Sequence, residues 1–153
     1  MQHALALASK AAAENEVPVG ALVVSPQGDI IGEGWNKPIT EHDPTAHAEI
    51  VALRQAAESC LNYRLVDCSL FVTLEPCTMC CGAIIHARIK RLIYGAREPK
   101  AGAVHSHLKL LELEHTNHNV DIVSGVCEEQ CSDILSTFFK RRREEKRALR
   151  RNQ

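Results

Sequence analysis

A layered α/β domain with a mixed sheet is the fold class this sequence predicts, and three observations predict it. Short apolar, β-branched runs alternate with stretches whose apolar residues recur every three or four positions. The first two runs flank a Pro- and Gly-containing turn, which makes them an antiparallel hairpin in a sheet whose later strands are joined through helices. At 153 residues, 45% hydrophobic and 24% charged, the chain has the size and composition of one domain with a sizeable core.

Residues 3–14 are rich in Ala and Leu and read as a helix whose pattern begins directly at Met1, so its start reads as trimmed. Residues 17–25 and 29–35 form the hairpin around Ser25-Pro26-Gln27-Gly28. Ala46, Ile50, Leu53, Ala57 and Leu61 share one helical face, giving a helix over 45–60 that starts at Asp43-Pro44-Thr45. Residues 68–74 read as a buried strand, and Glu75-Pro76 opens a helix to about residue 87, with Pro at a first-turn position that needs no donor. A strand over 91–95 follows. Residues 96–119 read as loop with a short helix near 108–113, residues 120–123 as a weak strand, and a last helix runs from about 126 through the basic end. Five strands result, with helices expected on both faces, a three-layer α/β/α arrangement.

Two segments carry the chemistry: His47-Ala48-Glu49 at one helix start and Pro76-Cys77-Thr78-Met79-Cys80 at the next. One imidazole and two thiolates at three-residue spacing supply three ligands of a tetrahedral zinc site and leave the fourth position open, as catalysis requires. Helix N-termini favour ionised Cys77 and Cys80. Glu49 lies two positions from His47, projects elsewhere, and is suited to handle a proton at the open position instead. Seven cysteines in a chain of this size point to metal-serving and core thiols over a disulfide framework. Cys81 reads as core. His115, His118, Cys127 and Cys131 have the spacing of a weak second zinc candidate, but Cys127 and Cys131 fall on the apolar face of the last helix with Ile134, Leu135 and Phe138 and read as core.

The net charge of −1 conceals an asymmetry: residues 140–153 hold 8 Lys+Arg and 2 Asp+Glu, leaving 10 basic against 17 acidic residues for the rest. From Lys140 onward only Ala148 and Leu149 are apolar, so the tail is expected to project, either as a solvated helix or as a stripe for RNA phosphate. An aromatic content of 4% argues against an extended base-stacking platform. No run has the length of a membrane-spanning helix and the N-terminus lacks a signal-peptide pattern, so a soluble, cytoplasmic protein is expected.

His-Ala-Glu with Pro-Cys-x-x-Cys is the known signature of zinc nucleobase deaminases. Glu16-Val17-Pro18-Val19-Gly20-Ala21, Gly32-Glu33-Gly34-Trp35-Asn36, His42-Asp43-Pro44-Thr45, Asn62-Tyr63-Arg64-Leu65, Tyr94-Gly95-Ala96-Arg97 and Phe138-Phe139 extend the likeness over nearly the whole chain. On these residues the sequence resembles the bacterial tRNA-specific adenosine deaminases of the cytidine/deoxycytidylate deaminase superfamily.

The resemblance implies a cytidine-deaminase-like fold, a homodimer and one Zn2+ per chain. It also implies hydrolytic conversion of adenosine to inosine at the wobble position of a tRNA anticodon stem-loop, of an arginine tRNA in that family. It assigns Glu49 to catalysis, His47, Cys77 and Cys80 to the metal, and Asn36, Ala48, Glu98, Phe138 and Phe139 to substrate. Arg97, Lys100, Arg141, Arg142 and Arg143 would contact RNA. Where the family usually reads Ala-Arg-Asp, this chain has Ala96-Arg97-Glu98. Two other functions use the same metal residues: a free-base or nucleoside deaminase, and a non-catalytic zinc-stabilised RNA-binding subunit. The basic tail argues against the first, and Glu49 beside an open metal position against the second.

Overall fold

The computed structural model describes residues 1–114 and 116–151. Its elements run α1 (Gln2–Ala13), β1 (Gly20–Val24), β2 (Ile30–Trp35), α2 (Ala48–Cys60), β3 (Ser69–Leu74), α3 (Thr78–His86), β4 (Arg91–Ala96), β5 (Asp121–Val123) and α4 (Glu128–Arg151), with a 3-10 turn at Leu110–Glu112 before β5. The five strands form one sheet in the order β2-β1-β3-β4-β5. β1 is antiparallel to both β2 and β3, whereas β3, β4 and β5 are parallel, so the sheet is mixed.

Side-chain alternation along the strands divides the core into two layers. Ala21, Val23, Leu70, Val72 and Leu92 pack with Ala48, Ala52 and Leu53 of α2 and Ile84 of α3. Leu22 faces the other way, onto Ala4 and Leu7 of α1, with Phe71 beside them. α4 lies next to α1 on this second face, where Gln2 bonds Gln130 and the Cys131 thiol sits over Gly95. The three-layer α/β/α arrangement is the one expected.

Glycines in β2 set how close α2 comes. A Cβ on Gly34 would stand 2.4 Å from the Ala48 carbonyl oxygen, and one on Gly32 would stand 2.3 Å from that of Ala52. The first two turns of α2 therefore rest on bare strand backbone.

Several boundaries differ from expectation, each for a local reason. β1 starts at Gly20 and not at Val17, because Pro18 has no donor and the Val19 N–H closes a tight turn onto the Val17 carbonyl at 2.8 Å. α2 starts at Ala48 and not at 45: Asp43 Oδ1 accepts from the Thr45 N–H and hydroxyl, both at 2.8 Å, and closes a separate turn. α3 starts at Thr78 with Cys77 as N-cap, so Pro76 precedes the helix, and its carbonyl accepts the Ala103 N–H at 2.8 Å. Cys127 lies before α4 in a left-handed conformation (φ 54°) and not on its apolar face, whereas Cys131 is buried there as expected.

We expect Gly34→Ala to force α2 off β2 and to cost about 1–3 kcal/mol of stability, the range for overpacking a tightly packed position. Urea unfolding of the two proteins measures it, and an unchanged midpoint would show that the helix yields freely.

Candidate active site

The carboxyl-terminal ends of β2 and β3 deliver two helix starts to one place. His47 is the N-cap residue of α2 and Cys77 that of α3, both in extended conformation, and Cys80 falls in the first turn of α3. His47 Nδ1 lies 3.6 Å from Cys77 Sγ and 3.6 Å from Cys80 Sγ. Zinc bound at about 2.3 Å to sulfur and about 2.0 Å to nitrogen, at tetrahedral angles, holds such atoms about 3.5 Å apart. The three donors thus already have the spacing that one tetrahedral ion demands. Among the described residues they are the one group of three or more His, Cys, Asp or Glu with metal-ligand proximity.

The start of α2 is fixed from outside the helix. Asn36, one residue past β2, accepts the Ala48 N–H through Oδ1 at 2.9 Å, and its own N–H bonds the Val19 carbonyl at 3.2 Å. A side chain from the neighbouring strand end thereby satisfies one of the orphan donors of the helix. The side-chain NH2 of Asn36 keeps its two donors for other partners. Ala48 itself is fully buried.

Glu49 is 4% exposed and stands outside the three-donor cluster, yet it lines the same pocket. Burial pushes its carboxyl above the ordinary range, against a hydrogen bond from Cys80 and the charge of His47. The Cys77 thiol is drawn down to about 4 by a hydrogen bond from Cys80, opposed by burial and helped by His47. Its bond to Cys77 in turn raises His47, against partial burial. A thiolate at a helix N-cap is the anionic ligand that a divalent metal takes.

The pocket over these groups has a volume of about 340 Å³. Asn36, Pro38 and Ile39 form one side of it, and Glu98 and Ala101, from the segment after β4, the other. Arg97, Glu98, Phe139 and Arg143 line an adjoining groove that shares Val17 and Leu74 with the pocket. Asn36, His47, Glu49, Cys77 and Glu98 are therefore brought together, with Arg97, Phe139 and Arg143 alongside.

The remaining candidates do not line this pocket. Phe138 is buried towards α1 and lines a separate cavity with Ala12 and Ile134. The Arg141 guanidinium lies 5.4 Å from the Phe138 ring centre and donates to the Ala12 carbonyl at 3.4 Å and to Asn15 Oδ1 at 3.3 Å, so it ties the tail to the end of α1. Arg142 bonds Glu145 at 2.8 Å within α4. The Lys100 N–H is accepted by Glu98 Oε1 at 3.0 Å, which folds the longer Glu98 side chain back on its own loop. Of the weak second metal candidate, His118 instead meets the Ile89 carbonyl at 2.7 Å, and His115 lies outside the described residues.

Two buried carboxylates lining the pocket escaped the sequence reading, Glu16 and Glu75. Glu16 Oε1 accepts the Thr40 N–H at 2.7 Å and its hydroxyl at 3.0 Å, pinning the loop that carries Pro38 and Ile39. The available signal was a Glu inside or directly against an apolar run, where burial without a partner would be costly.

The profile of the MafB19-like deaminases matches residues 1–143. The tRNA-specific adenosine deaminase of Haemophilus influenzae is 55% identical over 147 residues, 96% of this chain and 85% of that protein. That of Bacillus subtilis is 41% identical over 152 residues, covering 99% and 94% of the two chains. A solved structure from a study of A-to-I editing by tRNA:A34 deaminases superposes with a TM-score of 0.85 at 44% identity, covering 88% of this chain and 97% of that one. Both ligand-bearing segments fall inside the matched span, and likeness of this extent means that the chain belongs to the MafB19-like deaminase family, among its tRNA-specific adenosine deaminases.

Proposed function

We propose that this protein hydrolytically deaminates adenosine to inosine at the wobble position of a tRNA anticodon stem-loop, an arginine tRNA as in the family it resembles, with one zinc per chain. The observation that carries the reading is the 3.6 Å convergence of His47 on Cys77 and Cys80 with Glu49 buried in the same pocket. His47, Cys77 and Cys80 would hold the ion. When bound, zinc supplies a Lewis acid at its open position that makes water nucleophilic near neutral pH.

Glu49 accepts a proton from the water that attacks carbon 6 of the purine. It delivers that proton to the ring nitrogen, then takes the second proton from the hydroxyl added at carbon 6 and passes it to the amine, which leaves as ammonia while the carbonyl forms, so one carboxylate serves as base and acid in turn. Burial favours its protonated form and so its donor role; the metal cation favours the ionised form that begins the cycle. Asn36, with its oxygen engaged by Ala48, presents its NH2 to an acceptor on the base. Glu16, Glu49, Glu75 and Glu98 make the pocket walls acidic, which suits an uncharged base and repels phosphate. Arg97 and Arg143 of the adjoining groove meet the backbone phosphates, and Phe139, 44% exposed, offers a face to a flanking base.

The chain would act as one deaminase unit over residues 1–153, with residues 140–153 serving RNA as its basic tail. It is placed in the cytoplasm, where tRNA is processed; among the described residues no helix is long and apolar enough to cross a membrane. It would work as a homodimer. Ile50, Leu53 and Ala57 of α2, Tyr63 after it, and Ala83 and Ala87 border, together with Arg54 and His86, a shallow surface cavity of about 320 Å³, a mostly apolar face suited to a second copy.

We expect one zinc per chain in wild type and in Glu49→Ala, with turnover in the variant down about 100- to 10,000-fold, because the carboxylate moves protons and does not ligate. Metal analysis beside inosine formation from a stem-loop bearing a wobble adenosine decides it; loss of metal in the variant contradicts the role. The same assay with cytidine and guanine should give no product, and turnover of either would favour a free-base or nucleoside deaminase.

For the tail, Arg142→Gln/Arg143→Gln leaves the Arg141 tie to α1 in place. RNA affinity should weaken, and the slope of log affinity against log salt should fall by about one unit for each phosphate that no longer meets a cation. Direct binding at three salt concentrations reads it, and an unchanged slope would make the tail a solvated helix. Sedimentation at micromolar concentration should give a dimer of the 16.9 kDa chain, and a monomer would refute the pairing.

A further inference from the structure

Glu75 ends the β3 segment two residues before Cys77, and it is 2% exposed. A carboxylate stripped of water must be met by donors. All of them come from the segment after β4. Oε2 accepts the N–H groups of Val104 at 3.2 Å, His105 at 3.0 Å and Ser106 at 3.0 Å. Oε1 accepts the Ser106 hydroxyl and the Glu98 N–H, the latter at 3.3 Å. Gly102 passes so close that a Cβ there would lie 2.3 Å from Oε2. The folded segment is therefore wrapped around a charge, and Glu98 and Ala101 stand in the pocket wall at its near end.

We propose that Glu75 is a positioning residue for substrate: a buried anionic hub that fixes residues 97–106 as the RNA-facing wall of the pocket. The inference rests on the RNA-deaminase reading of that pocket. Five donors face the two oxygens, four of them backbone N–H groups that cannot accept, so charge and not volume is what the hub supplies. Glu75→Gln keeps the shape but replaces one acceptor oxygen by an NH2. With its remaining oxygen on the three consecutive amides, that NH2 opposes the Glu98 N–H, because the Ser106 hydroxyl alone can turn to accept. Glu98, the wall residue, is released first.

The test compares zinc-loaded wild type, Glu75→Gln and Ser106→Ala in steady-state kinetics on the anticodon stem-loop, with metal content and amide exchange measured alongside. Losing a hydrogen bond to a buried charge corresponds to roughly a tenfold effect or more. Glu75→Gln should therefore raise KM about tenfold while kcat stays within about threefold and one zinc is retained. Amides 98 and 104–106 should exchange faster, with the first turns of α2 and α3 unchanged. Ser106→Ala should move KM and exchange in the same direction by less, and it carries the test alone if Glu75→Gln does not fold. Unchanged KM with unchanged exchange overturns the proposal. So does loss of zinc together with kcat, which would make Glu75 a support of Cys77. A wild type inactive on the stem-loop overturns the RNA reading itself, whereas the exchange comparison, which needs no substrate, still reads the hub.

Discussion

Everything at the site depends on bringing two helix starts so close that their side chains could share one ion. His47 Nδ1 at 3.6 Å from two thiols requires α2 and α3 to begin side by side at the same end of the sheet. The sheet arranges this by its connections: β2 hands the chain to α2 and β3 hands it to α3, with β1 alone between the two strands. The bare backbone of Gly32 and Gly34 then lets α2 settle onto β2, and Asn36 locks its first N–H. A ligand set divided between two helix termini is as rigid as the packing behind it. Here that packing is the Ala48, Ala52 and Ala56 face of α2 against strand backbone.

Charge is sorted by depth. Carboxylates line the floor and walls of the pocket, each tied to a structural partner or to the metal residues, whereas cationic side chains stand at its edge and along α4. A neutral base can enter such a pocket while its phosphates remain outside, so the electrostatics separate the chemistry from the grip. The tail is less free than its composition suggests. Arg141 spends its guanidinium on the end of α1 and on Glu145, which anchors the first turn beyond Phe139 and leaves Arg143 beside the groove.

Buried acids also join the pocket walls to the core. Glu16 holds the 38–40 loop and Glu75 the 98–106 segment. Two walls of one pocket thus rest on two anions, one at the entrance to β1 and one at the exit of β3. Hydrogen bonds to charged groups are stronger than neutral ones, which suits segments that carry no helix or strand over most of their length.

The elements were legible because their signals are local: the apolar, β-branched runs over 17–25 and 29–35 and the three-and-four spacing from Ala46 to Leu61 depend on close neighbours in the chain. The His/Cys/Cys cluster able to hold a metal was legible for the same reason, since Cys77 and Cys80 share one helical turn and His47 has its glutamate two residues away. What tertiary structure alone decided are interactions between residues far apart in the chain. Helix starts moved from 45 to 48 and from 75 to 78 once Asp43 closed its own turn and Pro76 turned its carbonyl to Ala103. Glu75 found its partners 23 to 31 residues on, and Arg141 found Asn15 126 residues back. Residue type marks such side chains as costly to bury, but only the packed fold supplies the donors and acceptors that settle where they go.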